Sequence, residues 1–250
     1  MSVRADDIRV LMRESASSIG RICLNLLFPR RCPICDEIVA GQGRLICPAC
    51  ETQVAFASES HCMKCGKPVG EREQFCKDCS QRSHDFDKGR AVFEYAGVAK
   101  SIYRFKYGGR REYADYYAEQ IVKELGDLIR YWQPDAIIPV PIHWARRAAR
   151  GYNQAELLAK GVGKRCNIPV YSKLVRRIKN TKPQKLLNVR ERQNNLEKAF
   201  IISQNDVKLD TILLLDDIYT TGSTADAIAS LLKQHGVRRV FVLSLAIGNT

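Results

Sequence analysis

Eight of the ten cysteines fall into four pairs of one spacing: Cys32 and Cys35, Cys47 and Cys50, Cys62 and Cys65, Cys76 and Cys79. Two thiolates three positions apart can grip one ion from a tight turn, and a second such turn completes the four-sulfur tetrahedron of structural zinc. Pro33, Pro48, Gly66 and Pro68 supply turn residues around these grips. Disulfide frameworks suit small exported chains and iron-sulfur clusters take tighter spacings, so zinc is the expected occupant. Pairing neighbours, 32/35 with 47/50 and 62/65 with 76/79, gives two stacked ribbons. Alternate pairing gives a cross-brace, and the short loops favour the ribbons. Four protein ligands leave no open position, so one or two zinc ions are expected to fold the module rather than to catalyse. A segment so poor in large apolar side chains needs them, since zinc binding contributes on the order of 10 kcal/mol per site.

The rest of the 250 residues is long enough for one full domain. The expected division is an N-terminal helix over 1–29, a double zinc ribbon over 30–82, and an α/β domain over 88–250. Ile8, Leu11, Met12, Ile19, Cys23, Leu26 and Leu27 recur at helical spacing; packing on the protein is the plainer reading of that helix, beside a membrane-surface or partner role. With no apolar run long enough for a membrane span and no export signal, a cytoplasmic, soluble chain is expected. Its formal charge of +13 falls when thiolates bind zinc but stays positive, which points to polyanionic partners.

From Lys88 onward, short apolar runs alternate with amphipathic stretches, the pattern of a mainly parallel sheet covered by helices. Strands are predicted at 90–95, 135–140, 211–215 and 239–245, and helices at 110–131, 145–165 and 223–235. The richest segment, residues 212–232, reads ILLLDDIYTTGSTADAIASLL. It places Asp216 and Asp217 at a strand end, then a turn of Thr220, Thr221, Gly222, Ser223 and Thr224 opening a helix. Free amides and the helix dipole can hold a phosphate there, and two carboxylates can accept the hydroxyl hydrogen bonds of a ribose. The lysine of a triphosphate-binding loop is missing, so the pocket suits a ribose 5-phosphate. The plain alternatives are a single Asp that merely caps the helix, or two aspartates ahead of TTGST that meet by chance in a loop.

The chain resembles the ComF/GntX family: a double zinc ribbon, then FKYGG (105–109), PVPIHWARRAARGYNQ (139–154), TKPQKLLNVRERQNNL (181–196) and DDIYTTGST (216–224), in order. The resemblance spans roughly residues 30 to 247. It implies an α/β fold of the type I phosphoribosyltransferase-like class, a parallel sheet flanked by helices, with a small N-terminal zinc-ribbon module. It also implies binding of phosphoribosyl diphosphate (PRPP) with Mg²⁺. In that reading Arg146, Arg147, Arg150 and Gly151 form the pyrophosphate loop. Lys182, Gln184, Lys185, Arg190 and Arg192 lie on a loop that closes over substrate, and the catalytic roles fall to Asp216, Asp217, Lys185 and Arg190. A solvated basic surface is the alternative for both loops.

Lys106, Tyr107, Arg110 and Arg111 interleave aromatics and cations with Phe105, which suits a platform for single-stranded DNA, although core packing of the aromatics fits as well. Family members are linked to natural transformation, that is, to DNA uptake and the handling of imported single strands. Two functions therefore compete. One is a PRPP-binding protein, a phosphoribosyltransferase if active, in which the zinc module stands where a nucleobase hood would be. The other is a non-catalytic zinc-ribbon scaffold that binds nucleic acid and docks a helicase-like partner.

Overall fold

The computed structural model describes residues 29–41, 43–179, 199–203 and 208–248. The predicted N-terminal helix therefore lies outside the described residues, as do Lys182, Gln184, Lys185, Arg190 and Arg192.

Two short helices, α1 (Pro48–Glu51) and α2 (Lys77–Gln81), begin directly after Cys47 and Cys76. The α/β part follows in the order β1 (Lys88–Glu94), α3 (Tyr95–Tyr107), α4 (Tyr113–Trp132), β2 (Ala136–Pro139), α5 (Trp144–Arg150), α6 (Gln154–Cys166), β3 (Val175–Arg177), β4 (Phe200–Ile202), β5 (Thr211–Tyr219), α7 (Ser223–Gln234) and β6 (Arg239–Ile247). Strands β1, β6, β5 and β2 form one sheet in that spatial order, all parallel. Both faces are covered, so the strands read as unbroken apolar runs and alternate residues serve opposite cores. Leu213 and Leu215 pack with helices α4 and α6, while Ile212 and Leu214 pack with α7 and the β3–β4 pair. Trp132 stacks on Phe241 with ring centroids 4.5 Å apart, fixing the end of α4 against β6.

Four elements differ from the sequence-based expectation. The helix predicted over 145–165 is two helices, because Gly151 takes a left-handed φ of 78° and Asn153 caps α6 by accepting a hydrogen bond from the Ala155 amide at 3.2 Å. Helix α3 occupies residues for which the sequence predicts no helix, starting at Tyr95, the last residue of the strand expected over 90–95. Strand β5 runs on to Tyr219, so Asp216 and Asp217 lie within the strand and not beyond it. The antiparallel pair β3–β4, too short to show a period, brings the ends of the segment 178–199 together.

The ribbons close the β1 edge of the sheet, where an open strand would offer unpaired backbone. Ala57 donates its amide to Val92 O at 2.8 Å, and Gly89 donates to Lys64 O at 2.7 Å. A Cβ at Gly66 would lie 2.9 Å from Gly89 O, so glycine is what allows the second ribbon to sit directly on the strand.

Candidate functional site

The eight paired cysteines gather into two clusters, Cys32/Cys35/Cys47/Cys50 and Cys62/Cys65/Cys76/Cys79, within each of which the sulfur atoms lie within 4.8 Å of one another. This is the sequential pairing that the short loops favour. Zn–S bonds of about 2.3 Å give a tetrahedron with sulfur–sulfur edges of about 3.8 Å. Cys35 Sγ to Cys47 Sγ is 3.7 Å and Cys65 Sγ to Cys76 Sγ is 3.6 Å, so the donor sets fit a tetrahedral zinc. Electrostatics agrees. Burial works against ionisation of Cys32 and Cys62, yet backbone hydrogen bonds bring each down to about 7. Burial and the neighbouring cysteines push Cys50, Cys65 and Cys79 up, so a full set of thiolates requires a cation between them. The two clusters are structural zinc sites.

The first ribbon is clamped to the α/β domain through Asp36. Its carboxylate accepts two hydrogen bonds from Arg110, at 2.9 and 3.1 Å, and one from the Tyr113 hydroxyl at 2.5 Å. In the second ribbon the buried Lys67 pairs with the half-exposed Asp78 at 2.6 Å, and the ribbon reaches β1 through Arg90, which donates to Cys62 O.

The acidic pair of β5 sits beside cations from two other elements, α3 and β3. Lys106 Nζ at the end of α3 lies 3.0 Å from Asp217 Oδ1. Arg177 of β3 and Arg146 of α5 come close enough for each to act on the other, and Arg177 acts on Asp216 as well. Burial first, and the Asp217 charge second, push the Asp216 carboxyl up to about 7, against Lys106 and Arg177, which pull it down. The Asp217 amide donates to Asp216 Oδ1 at 2.8 Å and orients that carboxylate. Two residues past β5, Thr221 and Ser223 hydroxyls pair at 2.9 Å across Gly222. Gly222, with φ 77°, is the N-cap of α7, and a Cβ there would run into the Tyr219 hydroxyl.

The structure thus places Asp216, Asp217 and the Thr220–Thr224 turn on one strand–helix junction, with Lys106 and Arg177 near the acids and Arg146 beside Arg177. Among the described residues, the remaining predicted arginines have internal contacts. Arg147 pairs with Glu156 at 2.8 Å. Arg150 donates to Gln154 and to the Tyr107 hydroxyl and lies over the Tyr107 ring. Arg110 is held by Asp36, and Arg111 lies over the Tyr152 ring and donates to Gly151 O. Within the FKYGG stretch Phe105 is core, whereas Tyr107 is 60% exposed and neighbours the 65% exposed Tyr103, ring centroids 5.0 Å apart. Sequence reasoning missed Arg177, whose three-residue strand carries no motif. It also missed His84, which pairs with Asp226 at 2.8 Å beneath the turn; its only signal was a histidine in the short link between Cys79 and β1.

This geometry defines a class: a double zinc ribbon joined to a parallel α/β domain with an acidic pair and a hydroxyl-rich turn at the carboxyl end of a central strand. The double zinc ribbon domain model matches residues 23–80. Competence protein F of Haemophilus influenzae is 33% identical over 225 residues, covering 88% of this chain and 97% of its own. DNA utilization protein YhgH of an Escherichia coli strain is 30% identical, with 88% and 98% covered. Competence protein ComFC of Streptococcus pneumoniae is 27% identical, with 86% of each covered. The chain belongs to the competence protein F (ComF) family. Among solved structures, purine phosphoribosyltransferase from Pyrococcus horikoshii is 15% identical with a TM-score of 0.35, covering 54% of this chain and 84% of that one. No helix among the described residues is long and apolar enough to cross a membrane.

Proposed function

We propose that this chain binds PRPP with Mg²⁺ at the β5–α7 junction and works in the uptake or use of DNA, as the names of its relatives suggest. The observation that carries this reading is the Asp216–Asp217 pair flanked by Lys106 and Arg177, with Arg146 beside Arg177, and followed at once by the hydroxyl turn. Asp216 and Asp217 accept hydrogen bonds from the two ribose hydroxyls. The amides and hydroxyls of Thr220 to Thr224 hold the 5-phosphate at the α7 N-terminus. Arg146, Arg177 and Lys106 face the diphosphate, where negative charge grows as the bond to the anomeric carbon breaks. Lys106 neutralises Asp217 until a diol takes its place. Carboxylate oxygens suit Mg²⁺, which arrives with the diphosphate and shields its charge. Lys185 and Arg190, with Lys182, Gln184 and Arg192, belong to the segment between β3 and β4, whose closure would exclude water. Such a chain is a phosphoribosyltransferase if an acceptor nucleophile enters.

Exposed Tyr103 and Tyr107, with Arg150 over the Tyr107 ring, favour a second reading in which single-stranded DNA stacks on α3, with or without a helicase-like partner on the ribbons. Thermal unfolding separates the two. PRPP plus Mg²⁺ at a hundred times its dissociation constant should stabilise the protein by about 2.7 kcal/mol. No shift with PRPP, together with DNA affinity that falls by about 0.7 log units per log unit of salt for each phosphate contacted, would favour the scaffold.

A further inference from the structure

Residues 80–87 link the zinc ligand Cys79 to β1 and run along α7. Asp87 accepts a hydrogen bond from the Val240 amide and pairs with Lys233 near the end of that helix, while His84 and the Asp85 amide meet Asp226 in its first turn. The His84 side chain is fully buried, stacked on Phe86, whose ring meets Tyr219 edge-on. Burying an imidazole and a carboxylate is costly unless each satisfies the other, and here Nδ1 to Asp226 Oδ2 is 2.8 Å. A carboxylate only accepts, so Nδ1 carries a proton and Nε2 is left over. That Nε2 is buried without a hydrogen-bond partner, as are Nε and Nη2 of Arg82 on the same link. Its neighbour in the ring, Cε1, would stand 3.1 Å from a Cβ at Gly222. Asp226 in turn donates its amide to Gly222 O at 2.8 Å. The chain therefore leads from Cys79 along residues 80–83 to His84, and contacts run on from His84 through Asp226 to the N-cap of α7.

We propose that His84 is a positioning residue for the β5–α7 turn, a latch by which the zinc-held second ribbon sets that turn's affinity for a phosphate group. The idea rests on the reading of this turn as a phosphate pocket. It differs from a plain core histidine in one respect: the donor to Asp226 matters, not the volume. Leucine keeps apolar bulk without a donor. Asparagine keeps an N–H at the same number of bonds from the backbone as Nδ1.

The test is calorimetric titration of ribose 5-phosphate at pH 8 into the full zinc-loaded chain, with zinc content and circular dichroism measured on every variant. His84→Leu should bind about ten-fold more weakly than wild type, with zinc unchanged, as expected for a lost charge-assisted hydrogen bond, and His84→Asn should stay within about three-fold. If His84→Leu fails to fold, Asp226→Asn decides, and it should also bind more weakly. Wild-type affinity in the folded Leu variant or in Asp226→Asn overturns the latch and leaves the pocket reading intact. Equal losses in His84→Leu and His84→Asn overturn the latch as well. Absence of binding to wild type fails the pocket reading itself, and the latch with it.

Discussion

Asp216 is where electrostatics and ligand chemistry meet at the scale of one side chain. Its carboxyl titrates near 7, raised by burial and then by Asp217, so it is largely neutral at pH 6 and ionised at pH 8. In the ligand-free protein the sign follows from linkage: an acid raised on folding adds stability that is whole below about pH 4 and is lost as pH climbs through 7. For a ribose diol the sign reverses, because only the ionised carboxylate accepts from both hydroxyls. Ribose 5-phosphate should bind about ten-fold more tightly at pH 8 than at pH 6, the ratio of ionised fractions about a pKa near 7. Asp216→Asn should flatten that profile; a profile unchanged in the variant would assign the titration to another group.

Among the elements, the β5–α7 unit explains both what sequence reasoning reached and what escaped it. Glycine at 222 is demanded twice, by its left-handed backbone and by the Tyr219 hydroxyl that fills the space of a Cβ. Gly222→Ala should cost about 1–3 kcal/mol in urea unfolding and weaken phosphate binding; an alanine variant as stable as wild type would mean that the turn can relax. The unit was legible because its logic is local: an apolar run, two acids, small hydroxyl residues and an amphipathic helix within 21 residues. The cysteine clusters were legible for the same reason, each ligand pair being a self-contained turn. Lys106 and Arg177 reach the acids only through the packing of α3 and β3, and no short-range pattern encodes that. The α5–α6 break shows the other limit, since Gly151 and Asn153 were both present to signal it but the flanking arginines and alanines read as one continuous helix.

At the scale of the whole molecule, two zinc-stapled ribbons lie against a sheet whose β1 edge they close, and Asp36 ties the first ribbon to the domain through three hydrogen bonds. Burial opposes its ionisation, yet hydrogen bonds from Arg110 and Tyr113 hold its carboxyl below the usual carboxylate range. Asp36→Asn preserves a residue that tolerates the φ of 69° while removing the charge. It should lower thermal stability by about 2 kcal/mol and leave both zinc ions bound; loss of zinc would show that the clamp shapes the metal site as well. The central claim, that the acidic pair and hydroxyl turn form a PRPP site, is tested most directly by calorimetric titration of PRPP with Mg²⁺ into the zinc-loaded protein at pH 8, alongside the Asp216→Asn, Asp217→Asn double variant. Saturable binding to wild type that is lost in the folded double variant is the predicted result, whereas equal binding to both, or to neither, would contradict it.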